Sequence, residues 1–344
     1  MRRSLAAFAL CLALAACSDN PAGPGGPGPD PTARVSRYPV AVDGRWGFID
    51  GEGRIVVPPQ FDFADAFFEG RAAIQQGMLW GYADTTGAVV VAPSFDYAGP
   101  FAEGLAPVRQ GSLWGYVRTD GGLAVTPAYG AARPVAAGRA AFREGIRWGF
   151  LDASGQVAIA PQFAAVSDFA EAGSVGPLAA AQTPDGWGFI NAAGQFVIAP
   201  QYAEAGAFSE GLAPVRIGQL WGYIDGTGRI AVNPLFQEAG PFRDGVARVR
   251  QENLYGFIDE AGGFFIVPKM AEAGDFAEGR APVRFSSHWT YVDRADGLVI
   301  GSPVYDGAGP FRGGLAQVWF EGGEDGDYVG YVDPDGRYVW TPSR

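Results

Sequence analysis

The sequence predicts an all-β protein built as a tandem array of about nine three-stranded β-meander units. A Trp, or a residue in its place, returns every 34 residues, with two longer steps of 39 and 40. Each period holds three short apolar runs separated by Gly, Pro and Asp. The 344 residues include 52 Gly and 26 Pro, yet 48% of them are hydrophobic. A fixed period in this range indicates a repeat architecture, and many short strands with Gly/Pro turns are typical of all-β proteins.

The recurring position holds Trp in seven units, Tyr255 in one and Val329 in the last. An aromatic residue follows it by two positions in every unit. We expect the recurring Trp side chains to form the structural core, because a unit this small has little other bulk to bury. A row of Trp could instead stack sugar rings. The predicted core residues are Trp46, Trp80, Trp114, Trp148, Trp187, Trp221 and Trp289.

Within a unit, the three runs are illustrated by residues 105–109, 113–117 and 123–126. Runs of this length bounded by Gly, Pro and Asp predict strands. An Asp four residues after the Trp position and a Gly three residues further on predict a tight hairpin between the second and third strands. Pro stops the third strand because it has no amide proton to donate. The Gly-rich link to the next unit is interpreted as a turn or a single helical turn.

The third strand carries a pair of apolar residues nine and eleven positions after the Trp, such as Leu123 and Val125. Alternate residues of a strand share a face. We therefore expect both members of each pair to lie in the buried stripe on which neighbouring units stack.

The shape of the array is predicted to be an open, solenoid-like stack. The alternative is closure as a β-propeller, whose blades are also small meanders. Nine units with two unequal spacings exceed the usual four to eight blades, which favours the open stack.

The first 16 residues are expected to be a signal peptide. Arg2 and Arg3 precede an apolar run that is too short to span a bilayer as a mature helix. The run ends in Leu-Ala-Ala before Cys17, which resembles the lipobox of bacterial lipoproteins. That resemblance implies cleavage before Cys17 and lipid on this cysteine; the alternative is an ordinary signal with an incidental Cys. Ser18 follows, which by the same resemblance favours the outer membrane of the cell envelope.

The mature chain divides into two segments. Residues 17–37 are rich in Pro and Gly and predict a tether between the lipidated Cys17 and the array. Residues 38–344 form the repeat array. Two insertions interrupt it, one between Phe169 and Trp187 and one acidic loop at residues 321–327.

Trp-Gly-Tyr/Phe-Ile-Asp, then Pro-x-Phe/Tyr, then Phe-x-Glu-Gly-Leu-Ala, recur at fixed offsets in unit after unit. This pattern resembles the WG-repeat family and covers roughly residues 38–344. The resemblance implies a β-rich repeat region used as a non-catalytic module. It implies little more, because that family has no common ligand or reaction.

Composition argues against several chemistries. The net charge of −12 disfavours nucleic acid, which rewards a basic face. One His, His288, and two Cys give too few ligands for a zinc site, so neither a metal nor a cofactor is expected. The acidic residues recur with the units, whereas a catalytic pair needs unique positions. We therefore expect a non-enzymatic binding or scaffold protein; an envelope glycan hydrolase and a passive spacer remain alternatives.

An Arg recurs five residues before the Trp position. Apolar residues precede it and should point inward, so the Arg side chains should point outward. They form a candidate binding stripe for an envelope protein or an anionic polymer. The alternative is a lattice of ion pairs with the Glu-Gly carboxylates, which would stabilise the surface only weakly. The stripe comprises Arg109, Arg143, Arg216, Arg250 and Arg284.

Overall fold

The computed structural model describes residues 37–321 and 328–343. In this part of the chain, nine small antiparallel sheets form a ring, which is a nine-bladed β-propeller. The first sheet has three strands and the others have four. The all-β prediction and the count of nine units are confirmed. The open stack was wrong, and the alternative of propeller closure is the architecture.

Within a blade, consecutive strands lie side by side in chain order and are called a, b, c and d; blade 1 begins at strand b. A 3₁₀ turn at Gly173–Val175 lies between strands a and b of blade 5. The strands of blades 1 to 9 in turn are β1 (Tyr38–Val42), β2 (Arg45–Ile49), β3 (Ile55–Phe61); β4 (Phe63–Phe68), β5 (Arg71–Gln76), β6 (Leu79–Asp84), β7 (Val89–Phe95); β8 (Tyr97–Ala98), β9 (Leu105–Gln110), β10 (Leu113–Arg118), β11 (Leu123–Tyr129); β12 (Ala131–Ala136), β13 (Arg139–Glu144), β14 (Arg147–Asp152), β15 (Val157–Phe163); β16 (Ala170–Glu171), β17 (Pro177–Thr183), β18 (Gly186–Ile190), β19 (Phe196–Tyr202); β20 (Glu204–Ala205), β21 (Leu212–Ile217), β22 (Leu220–Asp225), β23 (Ile230–Phe236); β24 (Glu238–Arg243), β25 (Val246–Gln251), β26 (Leu254–Asp259), β27 (Phe264–Met270); β28 (Glu272–Ala273), β29 (Arg280–Arg284), β30 (Trp289–Asp293), β31 (Val299–Tyr305); β32 (Gly307–Arg312), β33 (Leu315–Phe320), β34 (Tyr328–Val332), β35 (Tyr338–Ser343).

Strand a is the element that the sequence interpretation missed. The link between units, expected to be a turn or a helical turn, instead pairs antiparallel with strand b of the following blade. In blade 3 only Tyr97 and Ala98 form this strand, opposite Arg109 and Val108. Two paired residues among Gly and Pro give no alternating pattern, so nothing in the local sequence indicates a strand.

The Gly that follows the Trp position allows strand d to cross very close to strand c. A Cβ placed on Gly149 would stand 2.5 Å from the carbonyl oxygen of Ile159 and 2.8 Å from the nitrogen of Pro161. Strand d bulges at this crossing, since two residues of strand c face four of strand d. Such close backbone approach excludes any side chain. The same contact recurs at Gly47, Gly81, Gly115, Gly188, Gly222 and Gly256.

Blade 8 shows how a departure from this rule is accommodated. Thr290 stands in the place of the Gly. Between the pairs Trp289–Tyr305 and Tyr291–Ile300, strand d spans five residues rather than four. The extra length lets strand d give way, and the Thr290 hydroxyl donates to the Ile300 carbonyl at 2.9 Å.

The apolar pair of strand d differs from the predicted core. The residue eleven positions after the Trp is buried in most blades, as Val57 is in blade 1. The residue nine positions after it is exposed, with 47% of Ile55 and 65% of Leu298 accessible. The expectation that both would be buried was wrong, because a second register shift lies between the two positions, as between Val157 and Ile159 in blade 4, and breaks the alternation of faces.

Each interface between consecutive blades, here called a seam, uses the Gly of the Asp-x-x-Gly turn. This Gly has a positive φ and packs against the residue eleven positions after the Trp of the preceding blade. A Cβ on Gly262 would stand 2.9 Å from Val232, and one on Gly194 would stand 3.1 Å from Ile159. Gly53 of blade 1 meets Val339 of blade 9, ten positions after Val329, chiefly at its backbone carbonyl, so a contact of the turn Gly continues around the ring.

The seam between blades 9 and 1 has its own hydrogen bonds. In blades 2, 3, 6 and 8 a Tyr of strand c donates to a carbonyl at the beginning of the next blade, as Tyr82 does to Gly99, directly after strand a, at 2.8 Å. Blade 1 has no strand a in the described part, and Tyr331 donates instead to Pro39 in strand b at 2.9 Å. Tyr38 donates back to the Gly313 carbonyl at 2.5 Å, and its ring centroid lies 5.5 Å from that of Tyr331.

We predict that Gly47→Ala lowers the free energy of unfolding by about 2–3 kcal/mol, because the new methyl group meets backbone atoms that cannot move separately. Gly51→Ala in the same blade is the control. A Cβ there has nothing within 4 Å and φ is not positive, so we expect a change below about 0.5 kcal/mol. Chemical denaturation of both variants measures the difference, and equal losses would contradict the proposed crossing.

Candidate functional site

The propeller has two chemically different faces, because antiparallel hairpins place successive turns at opposite ends of the strands. The b–c turns and d–a links lie on one face, here called the Trp face after the residue that begins strand c beside it. The a–b and c–d turns lie on the other, here called the Asp face after its Asp-x-x-Gly turns.

On the Asp face, the recurring Asp carboxylates are occupied by their own turns. Asp84 accepts from the Thr86 amide at 2.9 Å and from its hydroxyl at 2.6 Å. The Thr86 hydroxyl is the main reason that the pKa of Asp84 lies below its usual value. Hydroxyls of Ser154 and Thr227 do the same for the pKa values of Asp152 and Asp225. These carboxylates therefore stabilise their own hairpin turns.

The Glu-Gly carboxylates are also occupied, by the next blade. Glu69 accepts from the backbone amides of Glu103 at 2.7 Å and Gly104 at 2.9 Å. Glu210 accepts from Gly245 at 2.9 Å in the same manner. These acids lie on the Asp face, whereas the Arg stripe lies beside the Trp face. The sequence left open whether the Arg stripe pairs with these Glu-Gly carboxylates. That alternative is wrong, because the two groups lie at opposite faces of the ring.

On the Trp face, the predicted Trp side chains differ in exposure. Trp148 and Trp187 are buried, and the rest are half-buried. In blades 1 to 3 they alternate with the first residue of strand a in one continuous aromatic row. The ring centroids along Trp46, Phe63, Trp80, Tyr97 and Trp114 are successively 4.8, 5.4, 5.9 and 5.4 Å apart, all tilted or edge-on. Rings packed in this way cover each other's faces and offer no flat platform for sugar.

The Arg stripe is interrupted by ion pairs within the blades. Each Arg lies between the Trp position and the first residue of strand a, as the pairing of Arg216 with Trp221 and Glu204 illustrates. Arg216 and Arg250 contact Glu204 and Glu238 at 2.6 and 2.5 Å, and Arg284 pairs with Glu272.

The other two Arg side chains have no carboxylate beside them on strand a. Tyr97 faces Arg109, and Ala131 faces Arg143, whose guanidinium lies 5.9 Å from the Trp148 ring centroid. Glu side chains therefore neutralise the stripe in blades 6 to 8, whereas Arg109 and Arg143 in blades 3 and 4 have no such partner on strand a.

Exposed apolar side chains occupy the b–c turns of blades 2 and 4 and the start of strand c in blades 2 and 3. Met78 is 87% exposed and Ile146 is 80% exposed. Leu79 and Leu113 are each about two-fifths exposed, at 39% and 42%. These four residues are named the apolar arc. They lie on the same face as the aromatic row. Leu79 and Leu113 follow the repeat, since blades 6 and 7 have equally exposed Leu side chains at this position, Leu220 (38%) and Leu254 (40%). Met78 and Ile146 depart from it, because the other units have Gly or a polar residue there.

A second group departs from the repeat in blades 7 and 8. Arg248 stands in the middle of strand b, where blades 3, 6 and 8 have Pro. Its Nε donates to Asp275 at 3.1 Å across the seam, and its guanidinium lies 5.3 Å from the Tyr255 ring centroid. Burial, the largest single influence, would lower the pKa of Arg248, but the charge and hydrogen bond of Asp275 together with the charges of Tyr255 and Glu238 raise that pKa overall.

A cavity of about 220 Å³ opens beside this group, in the seam between blades 6 and 7. The sequence interpretation missed it, because each residue looks ordinary by itself. The available signal was the coincidence of departures, with Tyr in place of Trp and Arg in place of Pro. The lining includes Glu204, Trp221, Glu238, Gly240, Arg248 and Tyr255.

Glu238 is poorly suited to be a catalytic acid. Its burial raises the pKa, but hydrogen bonds from Tyr255 at 2.7 Å and Arg250 outweigh that effect and hold the pKa below its usual value. A glycosidase acid needs a raised pKa.

His288 also lacks the arrangement of a hydrolase. Its Nδ1 lies 2.7 Å from Ser287 Oγ and its Nε2 lies 3.7 Å from Asp306, with both His and Asp side chains partly exposed. In a catalytic triad the carboxylate orients Nδ1 and the nucleophile faces Nε2.

Several features lie outside the described residues. These are the signal segment 1–16, the lipidation candidate Cys17, the tether up to residue 36, and residues 322–327 of the acidic loop. In residues 37–321 and 328–343, no three His, Cys, Asp or Glu side chains are grouped so that they could hold a metal ion. The same residues include no helix with the length and hydrophobicity to cross a bilayer.

Comparison with solved structures supports the fold. One match is described as the crystal structure of the eukaryotic initiation factor; it is 11% identical, covers 89% of this chain and 95% of that one, and has a TM-score of 0.64. Another, the dihydro-heme d1 dehydrogenase NirN in complex with DHE, is 13% identical over 95% of this chain and 76% of that one, with a TM-score of 0.47. At 11% identity the first likeness concerns the fold alone, and the second, with its TM-score below 0.5, carries no conclusion about the fold. No curated protein sequence matches this chain.

The model of the WG containing repeat matches eight times between residues 46 and 318. The matched segments are 46–77, 80–114, 114–145, 148–182, 187–221, 221–255, 255–286 and 289–318. Each begins at the position of the recurring Trp, and in all of them except the last the next residue is the Gly that admits strand d. The chain therefore belongs to the WG-repeat family.

Proposed function

We propose that this chain is a non-enzymatic binding protein of the bacterial cell envelope, anchored through lipid on Cys17, which holds a protein partner on the Trp face. The observation that carries the proposal is the apolar arc beside the aromatic row. Protein interfaces are enriched in aromatic residues, Met and Arg, and grouped exposed apolar side chains mark interaction sites more often than isolated ones do.

A protein suits this face better than an anionic polymer does. A polyanion would need unpaired Arg side chains, yet Arg216, Arg250 and Arg284 already have Glu partners. Displacing those pairs would offset much of the attraction. Arg109 and Arg143 adjoin the aromatic row without such partners on strand a, so they fit the polar rim of an apolar protein interface.

Membrane attachment supports the envelope assignment in a separate way. The apolar run before Cys17 resembles a lipoprotein signal, and the following segment is rich in Pro and Gly. A tether of this composition would let the ring reach partners away from the bilayer. By the same resemblance we propose the outer membrane.

We predict that Met78→Asp combined with Ile146→Asp weakens capture of the partner from envelope extract at least roughly tenfold, because charge in an apolar interface must be desolvated. Both residues are exposed turn residues, so the fold should survive. The control is Ile230→Asp with Leu298→Asp, which changes apolar residues near the Asp face that are 53% and 65% exposed. Quantitative pull-down decides: equal loss in both variants, or undiminished capture by the first, would refute the proposed face.

Lipid anchoring makes an independent prediction. Wild type should partition into the detergent phase of a Triton X-114 extraction, because acyl chains on Cys17 give firm attachment. Cys17→Ser should leave the protein in the aqueous phase. Mass spectrometry of the N-terminal peptide measures the added lipid. Identical partition of the two proteins would contradict the anchor without affecting the binding proposal.

A further inference from the structure

We propose that the cavity between blades 6 and 7 is a binding site for a small zwitterion of the amino-acid kind. Arg248 would hold the carboxylate, and Glu204 with Trp221 would hold the ammonium group. The site is separate from the apolar arc, which lies on blades 2 to 4.

Arg248 provides the anion-binding half. Its Nε is fixed by Asp275, whereas its two Nη atoms donate no hydrogen bond to any residue in the described ranges. The guanidinium is braced over the Tyr255 ring and keeps 27% of its side chain accessible. A guanidinium oriented in this way is prepared for a carboxylate, which its planar fork matches better than an ammonium does.

Glu204 provides the cation-binding half. Its Oε1 accepts from Arg216 at 2.6 Å, but its Oε2 accepts no hydrogen bond from the residues that the structure describes. Glu238 differs, since Arg250 binds its Oε1 and Tyr255 its Oε2. Glu204 is therefore the carboxylate with an oxygen to spare.

The ring of Trp221 lines the cavity beside Glu204. Its counterparts in other blades are stacked, Trp80 by Phe63 and Tyr97, and Tyr255 by two guanidinium groups. Within the described part of the chain, no aromatic ring or guanidinium is stacked on Trp221. A ligand ammonium can therefore approach this ring and gain a cation–π contact in addition to the Glu204 charge.

The size of the cavity restricts the ligand. Sites for drug-sized molecules usually measure about 300–1,000 Å³, whereas this one measures about 220 Å³. That space suits a single amino acid. Both opposite charges on the wall are present within one seam, which favours a molecule that carries both.

The neighbouring seam shows which residue makes the site distinctive. Between blades 7 and 8 the Glu–Arg pair recurs as Glu272 and Arg284, but Pro282 stands where Arg248 stands. The repeat thus supplies the acidic wall in several blades. The anion-binding group of this seam comes instead from a residue that departs from the repeat. A position that breaks the repeat is more informative than one that follows it.

Isothermal titration calorimetry of the full chain with three matched probes tests the site. L-leucine carries both charges, L-leucinamide only the ammonium, and N-acetyl-L-leucine only the carboxylate. We expect L-leucine to bind with a Kd near or below about 1 mM. Each of the other probes should bind at least roughly tenfold more weakly, because one charged hydrogen bond is lost.

Variants assign the two halves. Arg248→Gln and Glu204→Gln should each weaken L-leucine binding at least roughly tenfold, since each removes a charged partner. Glu272→Gln, at the equivalent of Glu204 two blades further on, should leave it unchanged. If Arg248→Gln unfolds, Glu204→Gln decides, because that side chain is 48% accessible. No binding by wild type, equal binding of the three probes, or full binding by Glu204→Gln would overturn the proposal.

Discussion

The close crossing of strand d over the Gly of strand c is the contact on which the rest of the ring depends. At Gly149 the backbone of strand d approaches to 2.5 Å from where a Cβ would be. The crossing forces a bulge, and a bulge increases the local twist of a small sheet. The residue whose carbonyl makes this contact, Ile159, also places its side chain in the seam, where the turn residue Gly194 of the next blade packs. The Gly of strand c is therefore repeated, because each blade needs the close approach of strands c and d. Each seam in turn needs the side chain that this approach positions.

The sequence was sufficient to predict the features that recur from unit to unit. The period revealed nine units, and the Asp-x-x-Gly and Pro signals located strands b, c and d. Strand a was missed because its pairing can be as short as Tyr97–Ala98. The exposed position at Ile55 was assigned to the core because strict alternation was assumed across an unrecognised bulge. Closure could not be read from any one unit, since it depends on a small rotation per seam that adds up over nine blades.

The candidate sites also divide into features that follow the repeat and features that depend on the fold. The repeated Arg and Trp positions were visible in the sequence, but their environment depends on the first residue of strand a, which varies from Phe63 to Glu204. Partners across a seam are about 34 residues apart, and only the fold brings Arg248 of one blade to Asp275 of the next. In a repeat protein the shared residues build the scaffold. Recognition of a particular ligand is expected where residues depart from the shared pattern.

The central claim is that the ring is closed by the seam between blades 9 and 1. Deleting residues 307–344 tests it most directly, with amide hydrogen exchange followed blade by blade. In an open array a terminal unit stabilises mainly its neighbour. The closed ring instead predicts loss of protection in blade 1 as well as blade 8, and a lower melting temperature for the whole domain, because Tyr38, Gly53 and Pro39 lose their partners. Protection lost only in blade 8, with blade 1 unaffected, would contradict closure.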